Sequence, residues 1–197
     1  MNKKHIFSGF IFLISLIPVK AQISLPQFDV ELKGGFSIVD SGQNQDIDNS
    51  FFSFFQTGLH VQFSQRVALG GFYNRSLSGE VKYGRDGASA TSYPLSVLMY
   101  GIDLRFSAGR SVKWRPYVGL VYGKAEYVQK TGDYNLAASS NVMGVNLGIM
   151  RLFGRNFYWN VLEVSARYMP DKIYWLQADF SLEAKTGFTY NIRIKNK

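Results

Sequence analysis

From Phe28 onward, bulky apolar residues alternate one by one with small or polar ones, in segment after segment. In QTGLHVQF, residues 56–63, Thr57, Leu59, Val61 and Phe63 fall on one side and Gln56, Gly58, His60 and Gln62 on the other. A period of two is the signature of an extended strand whose faces meet different media. A chain built this way must bury its apolar faces against another sheet, a helix or lipid. The medium on that face decides the fold.

Eight such segments can be marked. The first spans about 28–38, with Phe28, Val30, Leu32, Phe36 and Ile38 opposite Asp29, Glu31, Lys33 and Ser37. The second spans about 53–63, and the third runs from Val67 through Leu69, Gly71, Tyr73 and Leu77 towards Val81 and Tyr83. The fourth, about 95–106, sets Leu98, Tyr100, Ile102, Leu104 and Phe106 against Asp103 and Arg105. In the fifth, about 115–128, both faces are bulky, and the pattern is read with Lys124 and Glu126 inward. The sixth, about 140–152, opposes Met143, Val145, Leu147 and Ile149 to Gly144, Asn146 and Gly148. The seventh, about 157–168, opposes Tyr158, Leu162, Val164, Ala166 and Tyr168 to Glu163, Ser165 and Arg167. The last, about 178–194, carries Phe180, Leu182, Phe188, Tyr190, Ile192 and Ile194 on its apolar face.

The connections, about 39–52, 64–66, 78–94, 107–114, 129–139, 153–156 and 169–177, mostly alternate long and short. Tight turns therefore collect at one rim and longer loops at the other, the plan of an up-and-down transmembrane barrel. A soluble carrier barrel also alternates, with its apolar face inward and a Lys- and Glu-rich face in water. Here the polar face is made largely of Gln56, Gly58, His60, Gln62, Gly70, Asn74, Ser76, Asn146, Gly148 and Ser165, small or amide side chains suited to a narrow interior. Strands of about 11 residues, at roughly 3.3 Å each and tilted about 40–45°, give a height near 25 Å, the apolar band of a membrane barrel. Trp114 and Trp159 fall near the short turns, and Tyr83, Tyr93, Tyr168 and Tyr174 near the long loops, where aromatic girdles belong. Lipid requires every backbone group to be paired, which ring closure achieves. The expected fold is all-β: an eight-stranded antiparallel up-and-down transmembrane β-barrel.

The N-terminus reads as an export signal. Asn2-Lys3-Lys4 is a positive end, Ile6 to Ile17 an apolar run, and Val19-Lys20-Ala21 a small-residue cleavage site, so residues 1–21 are expected to leave and 22–197 to form the barrel. A run of that length is too short for a membrane-spanning helix, which takes about 20 residues. The leader takes three of the eight net positive charges, leaving +5. Charged residues are only 18% of the chain, and no run of Lys and Arg is interleaved with aromatics, which argues against nucleic acid as a partner. The absence of cysteine removes disulfides, thiolate metal sites and cysteine nucleophiles.

The export signal, the eight alternating segments, RPYVGLVYG (115–123) and the closing KTGFTYNIRI (185–194) resemble the small outer-membrane β-barrels of the OmpA/OmpX type, particularly their Bacteroidetes-like versions. The resemblance implies a monomeric barrel in the outer membrane of a Gram-negative bacterium, with both mature termini in the periplasm. Its implied partners are outer-membrane lipid and lipopolysaccharide, the barrel-assembly machinery, and an extracellular partner reached through four loops. It implies no cofactor. That family's last strand commonly ends in an aromatic residue read by the assembly machinery, whereas this chain continues past Tyr190 to Ile194 and Lys195-Asn196-Lys197.

The inward set contains Glu31, Lys33, His60, Asp103, Arg105, Glu163, Arg167, Asp179, Glu183 and Lys185. Charges in so narrow a lumen must be paired or hydrated. The first and eighth strands meet at closure, so Glu31 and Lys33 are expected to reach Glu183 and Lys185. The set reads as a structural salt-bridge core, or alternatively as a gate over a narrow ion path. His60 is the one histidine beyond the leader, and a lipid-modifying hydrolase would need it beside a serine such as Ser76 or Ser96. Asp46 and Asp48 read as solvated loop residues, and Gly34-Gly35 and Gly70-Gly71 suit close strand packing rather than a phosphate cradle. Arg75, Lys82, Arg85, Lys130 and Lys172 are placed near the outer rim, where lipopolysaccharide phosphates lie, interspersed with Asp86, Asp133 and Asp171. The functional expectation is a non-enzymatic envelope or surface-interaction protein; the alternatives are a narrow porin-like channel and a soluble periplasmic carrier of an apolar ligand.

Overall fold

The computed structural model describes residues 27–40, 50–83, 91–108, 113–132, 134–171 and 180–193. The segment 1–21, Asp46, Asp48, Arg85, Asp86, Asp133, Lys172, Tyr174, Asp179 and Ile194 lie outside the described residues. The described chain forms eight strands: β1 (Gln27–Asp40), β2 (Ser50–Gln62), β3 (Val67–Tyr83), β4 (Thr91–Ser107), β5 (Trp114–Thr131), β6 (Tyr134–Leu152), β7 (Phe157–Tyr168) and β8 (Phe180–Arg193). Each pairs antiparallel with its sequence neighbours, and β1 pairs with β8, closing the sheet into a barrel.

The two faces sort by chemistry. Leu59, Leu147 and Leu162 point outward, 53%, 56% and 48% exposed, while Gln62, Asn146 and Glu163 point inward at 7%, 2% and 0%. Val30, Leu32, Leu69, Ile102, Val118, Val145, Val164, Leu182 and Phe188 continue the outward apolar band around the ring. A continuous band of this kind is untenable in water and is what hydrocarbon requires. A soluble carrier has the opposite arrangement, so that alternative is set aside. On this lipid-facing wall Leu59→Arg is expected to destabilise the barrel in urea unfolding from lipid vesicles, by up to about 2–4 kcal/mol. A cost near zero there would contradict a lipid-facing wall.

Two departures from strict alternation correct the facing read from sequence. On β3, Leu77 is skipped in the pairing with β2, and the register with β4 shifts between Arg75 and Glu80. This bulge throws Leu77 outward and turns Val81 into the interior, although both are odd-numbered positions of one expected strand. The Ser76 hydroxyl accepts a hydrogen bond from the Val97 amide at 2.8 Å, serving a backbone group at the irregularity. On β7, Val161 is skipped opposite Ile149 and Met150, and the register with β8 shifts between Asn160 and Glu163. Tyr158 therefore faces inward while Leu162 faces out. The Thr186 hydroxyl donates to the Asn160 carbonyl at 2.8 Å at this second bulge.

The fifth strand is a further correction. Arg115, Tyr117, Val121, Ala125, Tyr127 and Gln129 are inward, and Lys124 and Glu126 outward. The cause is the interior at that height, which is apolar and takes Ala125 and Tyr127.

At the tight-turn rim, Phe63 N donates to Val67 O at 3.0 Å, and the Ser64 hydroxyl accepts from Val67 N at 3.0 Å. The turn after β6 repeats the backbone bond, Phe153 N to Phe157 O at 2.9 Å. At the opposite rim two connections are shorter than expected: β3 and β4 stay paired out to Tyr83↔Thr91, inside the expected 78–94 loop, and the β5–β6 connection differs most. Instead of a loop over 129–139, β5 and β6 stay paired from Trp114↔Arg151 to Thr131↔Tyr134 and turn at Gly132, whose φ of 55° lies in the left-handed region that glycine enters without strain.

Candidate functional site

The interior holds three layers. Nearest the tight turns, Asp29 is bonded by Gln62 and by the Asn191 side-chain amide at 2.6 Å. Beside this layer Tyr117, Met150 and Tyr158 pack together.

Above it lies a chain of alternating acids and bases. Asp103 pairs with Arg105 at 2.9 Å, and Arg105 grips both oxygens of Glu31. Glu31 meets Lys33 at 2.7 Å, Lys33 meets Glu163 at 2.7 Å, and Glu163 meets Lys185 at 2.8 Å. Lys185 then meets Glu183 at 3.0 Å, and Glu183 meets Arg167 at 3.3 Å. These four carboxylates and four cations balance, and every link is buried. Burial removes each ion from water at a cost of several kcal/mol, which is offset only where each has partners on more than one side. The alternating order provides that for all but the two end residues.

Tyr117 sits at the centre, its hydroxyl donating to Glu163 and its ring 4.6 Å from the Arg105 guanidinium. Its ring occupies space left by Gly148, its cross-strand partner, where a Cβ would collide with it. His60 has Nε2 3.2 Å from Asp103 and 3.3 Å from Arg105, and Nδ1 3.9 Å from Glu31. It lies against Gly70, whose missing side chain makes room for the imidazole. Neither serine considered for it is at hand. Ser76 is six residues up β3 from the His60 partner Gly70 and is engaged by Val97, while Ser96 is exposed on the outer wall.

The third layer, towards the long loops, is mainly apolar: Val39, Phe52, Phe54, Phe72, Val81, Leu95, Val97, Met99, Val121, Ala125, Tyr127, Val142 and Met169 form one buried cluster, with Ser37, Ser50, Gln129 and Ser140 also buried at this end. The Tyr127 hydroxyl caps it by donating to Met169 Sδ at 2.9 Å. An ion leaving the charged layer in this direction would have to pass a plug of aromatic and aliphatic side chains.

No protein-family model matches the chain, and no curated protein matches it in sequence. Solved structures do match in shape. Neisserial surface protein A (NspA) superposes with a TM-score of 0.62 at 12% identity, covering 83% of this chain and 96% of that one. OprG of Pseudomonas aeruginosa gives 0.55 at 13%, covering 87% and 98%. Ail, the attachment invasion locus protein of Yersinia pestis, gives 0.53 at 11%, covering 85% and 99%. The fold is that of the small eight-stranded outer-membrane barrels. At such low identity the likeness is one of backbone, so what the outer-membrane barrel does with its interior rests on the residues of this chain.

Of the charged residues singled out from sequence, Glu31, Lys33, Asp103, Arg105, Glu163, Arg167, Glu183 and Lys185 form the ionic chain and His60 adjoins it; Asp179 lies outside the described residues. Their partners differ in one respect from expectation. The β1–β8 register sets Lys185 against Gly35 and Glu183 against Ser37, so Glu31 and Lys33 do not touch Glu183 or Lys185 directly. Glu163, arriving from β7, joins the two halves. Tyr117 and the apolar plug were missed. Gly148 opposite Tyr117 was the available sign for the first, and the inward parity of Phe52 and Phe54 with Gln56 and His60 for the second.

Proposed function

We propose that this protein is a non-enzymatic integral outer-membrane barrel that acts through the part standing above the membrane. The supporting observation is the unequal height of the wall. β5 and β6 run on to Thr131 and Tyr134, yet β7 pairs with β6 only up to Met143↔Tyr168. Above that pair, residues 134–142 of β6 have no strand partner on their second edge among the described residues, apart from Asn141, whose amide and side chain both donate to Asp171. A protruding edge of this sort can receive an extended segment of another protein. The outward side chains there are mostly polar (Lys124, Glu126, Lys130, Asn135, Ser139 and Asn141, with Val128 and Ala137 between them), as a water-facing extension needs. Ail is named for attachment and has been solved with the heparin analogue sucrose octasulfate, which supports the reading that a barrel of this shape can serve contact without catalysis. The proposal retains export with cleavage after Ala21, folding by the barrel-assembly machinery, a monomeric state, and lipopolysaccharide contact through outer-rim cations such as Arg75.

The absence of cysteine allows a direct test. Asn135→Cys should react with a membrane-impermeant maleimide on intact cells, and Arg155→Cys only after the outer membrane is breached. The reverse pattern would invert the orientation and refute the surface role. In planar bilayers the purified barrel should show no discrete conductance steps, because the apolar layer closes the lumen; regular steps would restore the channel alternative.

A further inference from the structure

One feature of the outer wall is explained neither by the ionic interior nor by the protruding edge. Near the tight-turn rim, Phe106, Val118 and Leu147 lie side by side in one outward row across β4, β5 and β6. Beside them the small residues Ala108 and Pro116 leave a groove of about 470 Å³, mainly apolar, with Gly148 and Tyr117 also lining it. It is a shallow, open depression in the wall, suited to an acyl chain lying along it. One outward step further towards the rim, Trp114 and Arg151 are paired in register, with the guanidinium 5.2 Å from the indole ring. Lys113 is exposed at the same rim.

We infer that this groove and its rim hold one phospholipid of the periplasmic leaflet, an acyl chain lying along Phe106, Val118 and Leu147 and the headgroup phosphate meeting Arg151. The inference rests on the membrane orientation proposed above. Three features point to this occupant. The groove lies within the lipid-facing wall, so what fills it is hydrocarbon. The Arg151 guanidinium is held over the Trp114 ring at 5.2 Å, a cation–π contact that consumes none of its N–H donors and so is compatible with phosphate recognition, for which arginine is suited. The spacing is that of a lipid: Trp114 is two positions from Pro116, about 7 Å along a strand, which places the cation just beyond the apolar slot, at the depth where headgroups and interfacial tryptophans lie.

The test uses the full barrel reconstituted in vesicles of phosphatidylethanolamine and phosphatidylglycerol, extracted into mild detergent and weighed by native mass spectrometry. Wild type is expected to retain one phospholipid per barrel. Val118→Trp, which fills the groove from the lipid side, should abolish retention, and Arg151→Gln should lower it about tenfold, the loss of roughly one charge-assisted hydrogen bond. Heat-modifiable gel migration establishes that each variant is folded. No retained lipid in the wild type, undiminished retention in either variant, or preferential retention of added lipopolysaccharide that Val118→Trp abolishes would overturn the assignment. Failure of the membrane reading itself would show differently, as a protein that does not float with the vesicles.

Discussion

Glu163→Gln is expected to destabilise the barrel by about 3–5 kcal/mol in urea unfolding from lipid vesicles, the cost of leaving a buried ion pair without one partner. The substitution keeps the side-chain volume and removes only the charge. Glu163 is the link between Lys33 at 2.7 Å and Lys185 at 2.8 Å, and it also accepts from Tyr117. Without it the ionic chain falls into two halves with one cation in excess. Lys33 keeps Glu31 and Lys185 keeps Glu183, which places the expected value at the lower end of that range. Adding Lys33→Met restores charge balance, so the double variant should be less destabilised than the sum of the single changes, with a coupling above about 1 kcal/mol. A Glu163→Gln barrel within about 0.5 kcal/mol of wild type, the range of an ordinary surface change, would mean that the network is well hydrated and carries little of the stability.

Phe54→Ala carries a comparable expectation, a loss of about 3–5 kcal/mol from the cavity left in a packed interior. Phe54 is 1% exposed, and its ring centroid lies 6.0 Å from that of Phe52 within the apolar layer. Its neighbour Phe55 is on the outer wall at 37% exposure, so Phe55→Ala leaves a space that lipid tails can occupy and should cost clearly less. A larger loss at Phe55 than at Phe54 would show that the inside and outside of β2 had been exchanged. The comparison bears on function as well, because the same layer separates the charged interior from the outer mouth.

Much of the fold was legible because alternation is a local property. Leu59 beside His60, or Leu162 beside Glu163, needs only the two-residue period of a strand to be assigned to opposite faces, and β7 runs over 157–168 as the pattern places it. The ionic interior was legible for a related reason, since a carboxylate or an ammonium opposite a lipid-facing residue has only the lumen to enter. What escaped was set by pairing between distant residues. Val81 and Tyr158 changed face because one strand carries an extra residue relative to its partner, and no single strand shows that. Lys124 and Glu126 were misassigned because, above the lipid, outward positions can be polar and the interior apolar, which reverses the usual cue. The protruding hairpin was hidden similarly: the stretch from Gln129 to Ser139 loses the bulky alternation once its outer face is in water.

The periodicity, with the small and amide character of the polar face, pointed this chain to a closed ring of strands and favoured hydrocarbon outside it; that the bulky face is the outer one was decided by the structure. Which acid meets which base, where the apolar layer lies, and how far β5 and β6 run on past their neighbours were established only by the register of strands remote in sequence. Register determines which side chains share a height in the barrel, and in an interior this narrow, sharing a height determines contact.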